Sequence, residues 1–152
     1  MINHNVQQDA SPSGTASKTN ANALRVLVVE DDASMLRLYQ TVLPAWPMLL
    51  DTAFVNNGTD AMFKMRSMRP HLMVLDLDIP GINGFKVLNE TFWNPGTTVV
   101  VVSGLDEQQI HCFGGIPQGI EVLPKPVPFA RLMAIAKKIA DNVGVGESRV
   151  AV

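Results

Sequence analysis

The chain has one cysteine, Cys112, so no internal disulfide can form, and its three histidines stand apart at positions 4, 71 and 111. No Cys/His group therefore has zinc spacing. Charge of either sign is sparse as well. Twelve basic and fourteen acidic residues leave a formal charge of −2, which gives no basic field for nucleic acid or an anionic membrane. Arg131, Lys137 and Lys138, near the end, read as a solvated helix face. No apolar run approaches the ~20 residues of a membrane span. The first 22 residues also lack the apolar stretch of a secretory signal, so a cytoplasmic protein is expected.

What is present is a core of ordinary apolar content, 47% over the whole chain, between a polar N-terminal stretch and a short C-terminal one. Residues 1–22 are rich in Ser, Asn, Thr, Gln, Gly and Ala, and bury too little to offset their ordering entropy. They are expected to form a disordered arm, and residues 144–152 a flexible tail. Residues 23–143 form the folded domain.

Within that domain two kinds of segment alternate. Short β-branched or Leu-rich runs occur at RVLVV (25–29), HLMVL (71–75), TTVVVV (97–102) and IEVL (120–123), with a weaker one at LDTAFV (50–55). Each is bounded by charge, Gly or Pro and reads as a strand buried on both faces. Between them lie segments of helical spacing. Ser34 is expected to cap the first and Thr59 the second, while Gly84 opens the third and Pro128 starts the last. The fourth, residues 107–113, is short and meets Gly114, Gly115 and Pro117. Five β-α repeats predict an α/β fold, a five-stranded parallel sheet with helices on both faces. Met62, Met65 and Met68 are expected to pack in the core, as are Trp46 and Trp93.

In such a sheet ligands bind beyond the carboxyl ends of the strands. There the sequence places Glu30-Asp31-Asp32, then Asp76, Ser103 and Lys125. One acidic residue after a strand is usually a cap or a solvated turn. Complementary groups after four of five strands are not what core packing demands. Asp31, Asp32 and Asp76 would repel one another without a cation, and oxygen-only ligands favour Mg²⁺. A carboxylate beside that metal can take a phosphoryl group, and Lys125 and Ser103 can neutralise or hydrogen-bond it.

These residues resemble the receiver domains of bacterial two-component response regulators, the CheY-like members of the flavodoxin-like (βα)5 class. The likeness covers residues 24–143 and rests on VVEDD (28–32), AFVNNGTDA (53–61), VLDLDIPGINGF (74–85), VVSG (101–104) and LPKP (123–126). It implies a phosphoacceptor at Asp76, a Mg²⁺ site at Asp31 and Asp32 with the backbone carbonyl of Asp78, a switch hydroxyl at Ser103 and a phosphate-contacting Lys125. It further implies a cis Lys125-Pro126 bond and a phosphohistidine donor on a sensor histidine kinase or histidine phosphotransfer protein. About nine residues follow the last helix, so a single-domain regulator is expected to signal through contacts with a downstream protein, not as an enzyme beyond slow self-phosphorylation and autodephosphorylation. The family also admits a homodimer through the fourth helix, fifth strand and fifth helix.

Two departures from the family pattern stand out. Receivers usually carry an aromatic residue three positions before the lysine, where this chain has Val122, and the fourth helix is cut short. They leave room for a phosphorylation-independent pseudo-receiver. Asp76-Leu-Asp78 also resembles the nucleophile motif of haloacid-dehalogenase-like phosphatases, although that family needs a further acidic pair after a later strand.

Overall fold

A computed structural model describes residues 20–80 and 83–147. The elements in chain order are β1 (Leu24–Val29), α1 (Ala33–Val42), β2 (Leu50–Val55), α2 (Gly58–Met68), β3 (Leu72–Asp76), α3 (Gly84–Glu90), β4 (Thr98–Ser103), α4 (Glu107–Cys112), β5 (Glu121–Pro124) and α5 (Phe129–Val143). All strand pairs are parallel and the order is β2-β1-β3-β4-β5. Strand order reverses between β1 and β3, which makes the crevice at their carboxyl ends the topological switch point.

Alternate residues of each strand feed opposite faces of the sheet. Val26, Val28, Val74 and Val100 pack with Tyr39 of α1 and Leu132 and Ala136 of α5. Leu27, Val29, Leu75 and Val101 pack instead with Ala61 and Met65 of α2 and Val87 and Leu88 of α3. This double burial explains why β1 and β3 read as unbroken apolar runs rather than alternating ones. Met65 is fully buried and Met62 and Met68 lie against the same cluster, so the methionines of α2 are core residues as expected.

Helix starts differ from the sequence reading. Asp32, not Ser34, caps α1, its Oδ1 accepting the Met35 N–H at 2.8 Å. Asn57, not Thr59, caps α2 by accepting from the Asp60 N–H at 2.8 Å. In both cases the helix begins earlier because an Asx side chain stands closer to the strand end and caps as well as Ser or Thr. Gly84 opens α3 after an Asn83 cap. A Cβ there would collide with the backbone of Leu77, so only glycine lets α3 sit against the strand end.

α4 has six residues, begins with an Asp106/Gln109 capping box and buries none of its side chains. It ends as Gly114 and Gly115 take φ of 105° and 76°. The first residues of the expected tail are held in place. Gly144 caps α5 in the left-handed region, Leu49 donates to the Gly146 carbonyl and Glu147 bridges to Met48. Residues 144–147 are thus fastened beside the start of β2, while 148–152 and the arm up to residue 19 lie outside the described residues. Trp46 is buried, but Trp93 is 82% exposed, contrary to the packing role expected for it.

Candidate functional site

The strand register brings the polar residues together. Val29 is paired with Leu75, so Glu30 and Asp76 follow as neighbours at the ends of β1 and β3. Asp76 is paired with Val102 and Ser103 with Pro124, which brings Ser103 and Lys125 to the same edge. Glu30, Asp76 and Ser103 are buried, and Lys125 is partly covered. The Lys125-Pro126 peptide is cis.

Lys125 Nζ donates to Asp76 Oδ2 at 2.7 Å and lies 3.6 Å from Glu30 Oε2. The other oxygen of Asp76 accepts the Asp78 N–H at 3.0 Å, and Glu30 Oε1 accepts the Asp32 N–H at 3.2 Å. Ser103 Oγ accepts the Leu105 N–H at 3.0 Å, which orients the loop leaving β4.

The electrostatics follow from crowding. Burial pushes the Glu30 carboxyl up to about 7, and the charge of Asp76 adds to that. The Asp32 N–H and the Lys125 ammonium oppose the rise without cancelling it. Burial alone would lower the Lys125 pKa, but its hydrogen bond to Asp76 and the charges of Asp76 and Glu30 leave it raised. Tyr39, beneath the site, is also pushed up by burial and by both carboxylates. A low-dielectric crevice with excess negative charge is a place where a cation is stabilised.

Glu30, Asp31 and Asp76 each offer a carboxylate oxygen, and the three lie within 4.8 Å of one another. That all-oxygen set fits a hard divalent ion such as Mg²⁺. The sequence reading paired Asp31 with Asp32. The structure places Asp32 differently, with its carboxylate spent on the α1 cap and exposed, and puts Glu30 in the cluster. The signal for Glu30 was its neighbourhood. It directly follows the buried run of residues 26–29 in β1, whereas Asp32 sits one residue before a helix, where a capping carboxylate belongs. Asp78 is exposed and contributes its backbone N–H to Asp76.

A five-stranded parallel sheet of order 2-1-3-4-5 with carboxylates, a hydroxyl and a lysine at its switch point defines a flavodoxin-like α/β domain with an acidic, phosphoryl-suited crevice. Residues 26–137 match the family model for the response regulator receiver domain, and the chain belongs to that family. It is 38% identical over 79 residues to the DNA-binding response regulator MtrA of Mycobacterium tuberculosis, a match covering 52% of this chain and 34% of that protein. It is 27% identical over 122 residues to the protein-glutamate methylesterase/protein-glutamine glutaminase of Moorella thermoacetica, covering 79% of this chain and 29% of that one. The chain thus spans about a third of the length of these curated relatives. Among solved structures, the signal receiver domain from Bermanella marisrubri superposes with a TM-score of 0.60 at 28% identity, over 77% of this chain and 98% of that one. A CheY-like receiver from Methanospirillum hungatei gives 0.65 at 19% identity, over 80% and 97%, and shows the shared fold. The receiver match spans Asp76-Leu-Asp78, so that motif belongs to this family and not to the haloacid-dehalogenase-like one. Among the described residues, no helix is long and apolar enough to cross a membrane.

Proposed function

We propose that the chain is a phosphoacceptor switch: Asp76 takes a phosphoryl group from a phosphohistidine on a sensor kinase or phosphotransfer protein, and the modified domain signals through protein contacts. The observation that carries this is the Lys125 ammonium held between Asp76 and Glu30 at the β1/β3 switch point. In the transfer, an Asp76 carboxylate oxygen forms the new P–O bond as the P–N bond to the donor imidazole breaks, and the imidazole takes up a proton. Lys125 is placed to neutralise charge on the phosphoryl oxygens, and Ser103 to donate its hydroxyl to one of them.

Glu30, Asp31 and Asp76 are the side chains that would hold Mg²⁺, with the Asp78 carbonyl as a further oxygen. When bound, the ion supplies positive charge against the crowded carboxylates and the incoming phosphoryl group. Asp32 serves as the helix cap. A cytoplasmic location and signalling through protein partners complete this reading, and a phosphorylation-independent pseudo-receiver is the competing one.

The test is intact-mass analysis after incubation with acetyl phosphate and Mg²⁺. A single phosphoryl adduct is expected on the unmodified protein, absent without Mg²⁺ and absent in Asp76→Asn. Acetyl phosphate and a phosphohistidine donor both failing, with beryllofluoride also unbound, would leave the phosphorylation-independent module as the better account.

A further inference from the structure

At the opposite end of the sheet, the starts of β1, β3 and β4 border a cleft of about 490 Å³ lined by Arg25, Arg69, His71, Trp93, Asn94 and Thr97 together with proline and glycine backbone. Among the described residues, no carboxylate lines it. Among the described residues, neither Arg25 nor Arg69 forms an ion pair, and Asp51, the register neighbour of Arg25 on β2, makes none with it. Two guanidinium groups sharing one cleft without an anion is unusual, because like charges so placed repel.

The cleft is also built rather than incidental. Arg25 Nε donates to the Arg69 carbonyl at 3.0 Å, which anchors one arm of that guanidinium and leaves its terminal nitrogens without a protein partner among the described residues. Arg69 is held in the left-handed region at φ 48° as the cap of α2. His71 Nδ1 accepts the Arg25 N–H at 3.0 Å, so the neutral ring carries its hydrogen on Nε2 and is a donor there. Thr97 Oγ1 donates to the Pro70 carbonyl at 2.6 Å, and the Thr97 N–H to the Asn94 carbonyl at 3.0 Å, which fixes the far wall. Beside these donors stands the 82% exposed Trp93, stacked on no other ring among the described residues.

We propose that this cleft binds a small phosphorylated molecule carrying a planar ring, of the nucleoside monophosphate class, with the phosphate on the two arginines and the ring on the Trp93 indole. Paired guanidinium donors suit phosphate oxygens, and an exposed indole is a stacking platform for a base. The volume falls in the range of small-molecule sites. A net charge of −2 and only two arginines in the cleft favour a mononucleotide over a nucleic-acid polymer. The site stands apart from the Asp76 crevice. Arg25 is near the start of β1 and Glu30 just past its end, roughly 16 Å away along the strand.

Two-dimensional amide NMR with adenosine and guanosine 5′-monophosphates tests this, with EDTA present so that divalent ions cannot bridge a nucleotide to the acidic crevice. At least one nucleotide should give saturable shifts at the amides of Arg25, His71 and Gly96 and at the Trp93 indole N–H, with a Kd below about 1 mM. The matching nucleoside and inorganic phosphate should each bind about tenfold more weakly, and Arg69→Gln or Trp93→Ala should cost a similar factor. Both side chains are exposed, so the remaining spectrum should show an unchanged fold. No saturation with either nucleotide, shifts centred on Glu30 and Asp76, or binding indifferent to Arg69→Gln would overturn the proposal.

Discussion

The crevice at the ends of β1 and β3 and the flank formed by α4 and β5 share Ser103 but are built by different rules. In the crevice the buried charges answer one another: Lys125 faces Asp76 and Glu30, Asp76 also accepts from Asp78, and Glu30 accepts from Asp32. On the flank, a six-residue helix buries none of its side chains, two glycines turn the chain through positive φ, and Val122 is 40% exposed. A cleft of about 440 Å³ opens there, its lining running from Ser103 through Ile110 and Ile116 to Val122. Burying charge is costly unless each group is matched, so the crevice tolerates little change in register or residue type. The flank has few buried contacts and belongs to the low-stability end of the molecule. The flank therefore departs from the family pattern at Val122 and α4 while the crevice keeps its matched charges.

The largest expected effect comes from relieving the crowding. Glu30 has a native pKa of about 7 against an ordinary 4.5, so between those values the folded state binds more protons than the unfolded one. Stability of the metal-free protein should then fall as pH rises from about 5 to 8, by an amount on the order of a few kcal/mol. Glu30→Gln removes the titrating group but keeps an oxygen for the Asp32 N–H. Urea melts in EDTA at several pH values should show the downward slope in the parent protein and a flatter one in the variant. Equal slopes would mean that Glu30 is not the strained group, and the contrast drawn between crevice and flank would lose its electrostatic basis.

The same crevice shows how far sequence reasoning reached. The sheet, its parallel sense and the convergence of Asp76, Ser103 and Lys125 were legible because buried parallel strands are continuous apolar runs and sites lie beyond their ends. Helix starts were not. Ser34 and Thr59 read as caps, but Asp32 and Asn57 hold those positions, since all four residue types cap well and only the backbone decides which stands at the boundary. The acidic pair differs likewise: the sequence reading joins Asp31 with Asp32, whereas the oxygen cluster in the structure joins Glu30 with Asp31. Trp93 was illegible for another reason: an aromatic residue near a helix end gives no sign of the face on which it lies, and this one faces solvent.

A smaller effect separates the two adjacent residues Asp31 and Asp32. Asp32→Ala should cost about 1 kcal/mol, the usual penalty for losing a capping side chain, and should leave Mg²⁺ affinity within about twofold of the parent protein. Asp31→Ala should do the reverse, weakening Mg²⁺ binding about tenfold or more with little change in stability. Denaturant melts paired with Mg²⁺ titrations of both variants would decide it. An equal loss of Mg²⁺ affinity in the two would restore Asp32 to the metal site.

The smallest effect is expected on the flank, where Val122→Ala tests whether readout and chemistry are independent. Removing two methyl-sized groups from a side chain that is 40% exposed should cost less than about 1 kcal/mol. The rate of phosphorylation by acetyl phosphate should stay within about twofold, because Val122 touches the cleft that Ser103 borders but none of the crevice's hydrogen-bonded pairs. A drop of tenfold or more would show that packing around Val122 positions the Ser103 hydroxyl. The flank would then be part of the chemical site, with Val122 acting on the acceptor through the β4 end rather than reporting its state.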